Sequence, residues 1–228
     1  MTDVTSLQSP PSLFKTSYSS AIRIWHWLTF ITIASTIILV LLASKVFDMK
    51  DNIPMVQEQI QQKGGVVSPE QARAVAHEYS DKLWMLHKYI GYGLCFLLLC
   101  RIVIEMSYSK EKKLSGKIKR AMTLQTESPE QKNDRKHYLL VKWGYVVFYL
   151  LFLIMALTGL GLAYEDVPLF KSNHKLIVNI HSFVQYLIYF YILSHIVGVI
   201  RADLTDNKGI VSSMINGGQS STKREPVN

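Results

Sequence analysis

The stretch Leu176 to Ile200, LIVNIHSFVQYLIYFYILSHIVGVI, constrains this chain more than any other. It runs for 25 residues without a charged side chain, and ~20 apolar residues suffice to cross a bilayer core. A histidine at membrane depth is costly and rare, so His181 and His195 are functional candidates by default. They stand 14 residues apart. At ~100° and ~1.5 Å per residue, that spacing returns to within ~40° of the same face after ~21 Å of rise. One face of one helix would therefore hold two imidazoles, one near each side of a membrane.

Three further runs share this character: Ala21 to Ser44, Trp84 to Met106 and Leu139 to Ala163. All four are 23 to 25 residues long, the length of a spanning helix and beyond most soluble core helices. The expectation is an all-α membrane protein, a four-transmembrane-helix bundle with helices at about 21–44, 84–106, 139–163 and 176–200. Its membrane domain would cover 21–205, between a mobile tail at 1–20 and a disordered tail at 206–228. Cys95 and Cys100 are the only cysteines, both inside the second run. That count fits neither a disulfide framework nor a thiolate metal site, and they read as packed thiols. The net charge of +8 comes from basic residues flanking apolar runs, which points to orientation in lipid rather than to nucleic acid. Residues 1–18 hold no short apolar core, so the first run is expected to act as an uncleaved signal anchor.

In chain order, the first helix opens with Arg23-Ile24-Trp25-His26-Trp27. Arginine and tryptophan suit a membrane–water interface, and His26 lies about one turn inside. The connection 45–83 is polar, but Ser68-Pro69-Glu70-Gln71 combines an N-cap residue, Pro at N1 and Gln at N3. It predicts a helix from about Pro69 that runs into the second apolar run. His77 on that segment reads as a solvated surface residue. His87 sits in the first turn of helix two, and Gly91, four residues on, shares its face. Gly91 would leave room for a flat macrocycle or, alternatively, allow close helix–helix packing with Gly93. Segment 107–137 is charged, with its basic cluster at Lys110, Lys112, Lys113, Lys117, Lys119 and Arg120.

The positive-inside rule sets the topology. Segments 1–23, 107–137 and 201–228 hold fifteen Lys or Arg, whereas 45–83 and 164–175 hold seven. Both termini and the basic loop are therefore expected on the cytoplasmic side. This orientation owes nothing to the histidines, yet it sorts them by depth. His26 and His195 fall near the inner face, and His87 and His181 near the outer face. Two imidazoles at each of two depths suit two haems stacked across a membrane. His137, at the charged foot of helix three, and His174, on the outer loop, are competitors at the margins.

Arg-Ile-Trp-His-Trp opening helix one, Leu-His-Lys-Tyr-Ile-Gly opening helix two and the two helix-four histidines resemble the bacterial cytochrome b561 family over roughly residues 20–205. That superfamily includes the b-type cytochrome subunits of nickel–iron hydrogenases and membrane-bound formate dehydrogenases. The resemblance implies two haem b, the inner one on His26 and His195 and the outer one on His87 and His181. The sequence departs from the pattern in its long connections 45–83 and 107–137, and no fifth run matches the extra helix common in hydrogenase subunits.

Two imidazoles on one iron suit electron transfer rather than oxygen activation. Arg23, Arg101 and Lys142 inside, and Lys88 outside, are candidates to meet haem propionates, against simple interfacial snorkelling. The leading reading is an electron conduit of a respiratory chain, between an outer redox protein or small-molecule donor and a membrane quinone. The quinone would be sought among Trp27, Trp143 and Tyr145, near the inner haem. A stand-alone superoxide:quinone oxidoreductase, using Lys88, Lys171 and Lys175, is the runner-up, and a histidine-lined metal transporter a remote third. The expected setting is an inner cell membrane, with lipid as a partner; a homo-oligomer is compatible with it.

Overall fold

A computed structural model describes residues 18–125, 128–205 and 209–217. Residues 1–17 of the expected N-terminal tail lie outside the described residues. Among those described the chain is helical and contains no strand. Helix α1 spans Ser20–Leu41 and continues through a π-helical turn, Leu42–Val46. There follow α2 (Met49–Gln62), α3 (Pro69–Ser107), α4 (Leu114–Thr123), α5 (Pro129–Ala163), α6 (Pro168–Ser172), α7 (His174–Leu204) and α8 (Ile210–Asn216). Among the described residues, four helices are long and apolar enough to cross a membrane: Ser20–Val46, Pro69–Ser107, Pro129–Ala163 and His174–Leu204. Their large apolar side chains stay outward, among them Phe96, Leu99, Val103, Phe183, Tyr186 and Phe190. Lipid rather than protein is the natural cover for such faces.

Helix α3 confirms the start signal at Ser68. The Gln71 amide donates to the Ser68 hydroxyl at 3.2 Å, and the Gln71 side chain accepts from the Ser68 amide at 2.9 Å. This reciprocal capping starts a helix of 39 residues, about 58 Å long at ~1.5 Å per residue. A hydrocarbon core takes up only ~30 Å, so the segment before Trp84 stands beyond it. Helix α5 likewise begins at Pro129, ten residues ahead of its apolar run. Ser128 caps it, accepting from the Gln131 amide at 3.2 Å.

The chain divides into two compact units, and each long helix contributes a segment to both. The first unit comprises 24–103 and 150–192. Here the connection after α1 is folded rather than merely polar. Asp48 caps α2, accepting from the Lys50 amide at 2.8 Å. The buried Asn52 amide donates to the carbonyls of Val46 and Asp48, at 3.0 and 2.8 Å. Phe47 stacks on Tyr79 of α3, ring centres 6.5 Å apart. Gly64, at φ 79°, makes the turn out of α2 that a side chain would oppose.

The second unit comprises the described residues of 1–23, 104–149 and 193–228. In it the charged connection is ordered around α4. The Leu114 amide donates to the Glu105 carboxylate, and Arg135 donates to the Leu124 carbonyl at 3.0 Å. The tail expected to be disordered, 206–228, contains α8; its remaining described residues are Gly209 and Gly217 alone. The physical reason is local. Ile210, Val211, Met214 and Ile215 recur at helical spacing. Gly209 and Gly217 flank them at φ 85° and 88°, and Arg23 donates to the Ile215 carbonyl at 3.2 Å.

Candidate functional site

His181 stands eight residues into α7, half-buried. Its Nδ1 lies 2.9 Å from the hydroxyl of Thr158 on α5. That hydroxyl is also 2.8 Å from the Ile154 carbonyl and 3.1 Å from the Met155 carbonyl. Gly159 adjoins it, and a Cβ there would stand 3.3 Å from His181 Cε1. The Thr158-Gly159 pair thus brings α5 against the imidazole and occupies Nδ1 rather than Nε2.

His87, on α3, belongs to the same unit. Its Nδ1 is buried and has no hydrogen-bond partner among the described residues. Trp84 meets the ring edge-on, centroids 5.7 Å apart. One turn further along α3, a Cβ on Gly91 would meet nothing within 4 Å, and the same holds at Gly93. Among the described residues nothing packs closely on these two glycines, whereas on α5 a Cβ at Gly159 or Gly161 would stand 3.3 or 3.4 Å from His181 or Ile177. Lys88 is exposed.

His26, half-buried on α1, meets Trp27 at right angles, centroids 5.5 Å apart. Its neighbour Trp25 is buried and donates from Nε1 to the Leu97 carbonyl of α3 at 2.7 Å. The Arg101 guanidinium lies 5.9 Å over the Trp25 ring. His26 thus shares the first unit with His87 and His181.

His195 belongs to the second unit, on an exposed part of α7. In that unit Arg23 bonds the Ile215 carbonyl and, at 3.1 Å, the Ser20 hydroxyl. Lys142 is only 3% exposed. Its ammonium lies between the rings of Tyr138 and Tyr145, 4.8 and 5.0 Å from their centres, and Tyr145 bonds Tyr18 at 3.1 Å. Of the competitors, His137 is exposed and His174 faces Glu165 at 3.3 Å; the surface residue His77 faces Asp81 at 3.2 Å.

These residues fit haem better than a bare ion. Among the described residues, no three His, Cys, Asp or Glu side chains gather closely enough to hold a metal by themselves. Haem iron asks the protein only for axial ligands. His87 brings a buried, unpartnered nitrogen, and Gly91 adds open room on the same face of α3. His181 has its far nitrogen tied to a polar partner, as metal-ligating histidines do. Sequence reasoning missed Thr158. Its signal was depth: it lies five residues before the end of α5, as His181 lies near the start of α7.

The family model for prokaryotic cytochrome b561 matches residues 17–217. No curated protein and no solved structure matches the chain. The matched region spans all four apolar helices and all seven histidines, and the chain belongs to the prokaryotic cytochrome b561 family.

Proposed function

We propose that this cytochrome is a di-haem conduit that passes electrons between an outer-side donor and the membrane quinone pool. Membership of the family carries b-type haem and electron transfer across a membrane. The number of haems, their ligands and the two ends of the path are the proposal. The observation that carries it is the sorting of four histidines into two depths by a topology derived without them. His87 and His181 hold the outer haem in this reading, and His26 and His195 the inner one.

When bound, such a haem supplies one reversible electron at an iron closed to oxygen by two imidazoles. The protein's part is to hold those imidazoles, exclude water and supply charge. Arg23, Arg101 and Lys142 near the inner level, and Lys88 near the outer one, are the cations proposed to meet propionates. Gly91 leaves space beside His87. Quinone reduction takes two electrons and two protons, and an inner site among Trp27, Trp143 and Tyr145 would draw its protons from the cytoplasmic side. On the outer side, α2 and the first part of α3 offer the folded surface a redox protein would meet. Residues 164–175 mix Glu165 and Asp166 with Lys171 and Lys175, which favours a protein donor over steering of a small anion.

The test is electron exchange. Purified protein in lipid should have its haems reduced by a quinol analogue and reoxidised by the quinone. Failure to exchange with ubiquinone-type and menaquinone-type analogues would remove the quinone end of the proposal.

A further inference from the structure

We infer that Thr158 is a positioning residue that holds the proton of His181 on Nδ1, so that Nε2 is the nitrogen offered to iron. The inference rests on the proposed role of His181 as an outer haem ligand. A threonine hydroxyl has a single proton. Within an apolar helix it gives that proton to the carbonyl four residues back, and the Ile154 carbonyl stands at 2.8 Å. Oγ1 then faces His181 with lone pairs only. The 2.9 Å contact to Nδ1 requires a donor, and the imidazole N–H is the one left. The proton therefore sits on Nδ1, and the Nε2 lone pair is free.

Water cannot replace this partner in an apolar setting, and Gly159 keeps the approach short. The consequence is electronic as well as steric. An imidazole that donates from Nδ1 is a more basic ligand at Nε2, and a more basic ligand favours ferric over ferrous iron.

The test uses the full chain in lipid nanodiscs, as Thr158→Val and Thr158→Ser, with haem content, redox titration and low-temperature EPR read together. Thr158→Val keeps the shape and removes the acceptor. Expected are two haems, an outer haem shifted about tenfold toward ferrous, equivalent to about 59 mV for one electron, and altered g values for that haem alone. Thr158→Ser should restore both readouts. Loss of the outer haem alone in Thr158→Val, recovered in Thr158→Ser, would also support the assignment. Unchanged potentials and g values in Thr158→Val would overturn it, as would equal shifts at both haems or a loss that serine does not recover. Retention of the outer haem in His181→Ala would instead refute the ligand itself, and this inference with it.

Discussion

Trp25 Nε1 and the Leu97 carbonyl are 2.7 Å apart, which joins α1 to α3 one residue before His26. The Leu97 carbonyl lies inside a helix, so losing the indole does not orphan it. In lipid such an interhelical bond is worth about 0.6 to 1.7 kcal/mol. Trp25→Phe should cost roughly 1 kcal/mol, and Trp25→Ala about 3 to 5 kcal/mol through lost packing. Thermal loss of Soret absorbance reads both. Equal effects would show that the bond, not the packing of the ring, holds the helices.

Two glycines separate packing from cofactor space. Gly159→Ala improves helix propensity by about 1 kcal/mol, so any defect reports on His181, 3.3 Å from the new methyl. Alanine should retain both haems with a perturbed outer spectrum, and Gly159→Leu should lose the outer haem while keeping the inner one. Gly91→Ala meets no protein atom within 4 Å. It should nevertheless lower outer haem occupancy if a macrocycle lies over that face. Full occupancy in Gly91→Leu would remove Gly91 from the site.

The four spanning helices were legible because apolar length is the one signal a membrane makes unambiguous. The start of α3 was legible from Ser68-Pro69-Glu70-Gln71. The same four residue types recur at Ser128-Pro129-Glu130-Gln131, and α5 starts there, ten residues before the apolar run that alone marked it in the sequence. Short helices α2, α4 and α8 were not legible. Their local signals are short and weak: the Asn52 amide reaches back only six residues to the Val46 carbonyl, and the bond from Arg23 to the Ile215 carbonyl joins distant parts of the chain, a pairing no local pattern encodes. Thr158 escaped for a similar reason. A threonine in an apolar helix ordinarily bonds its own backbone, and only the packing of α5 against α7 turns it toward His181.

Capping makes a second-order prediction. Ser68→Ala removes the side-chain acceptor for the Gln71 amide and should cost about 1 kcal/mol locally. Hydrogen exchange should quicken in residues 69–76 while the haem spectrum stays unchanged. A spectral change would mean that the outer end of α3 is coupled to the site at His87.

The topology can be read chemically. In a Cys95→Ala, Cys100→Ala background, Gln59→Cys on α2 should react with an impermeant maleimide from outside intact cells. Lys119→Cys on α4 should react only after permeabilisation. The reverse pattern would invert the membrane orientation and exchange the inner and outer levels throughout.

The most direct test of the central claim is a reduced-minus-oxidised spectrum with a pyridine haemochrome count, on wild type and on His195→Ala. The account predicts two low-spin b haems per chain in the wild type, and one in the variant, with the outer haem's potential unchanged. One haem in the wild type, or a variant that loses the outer haem instead, would contradict the pairing of His26 with His195 and of His87 with His181.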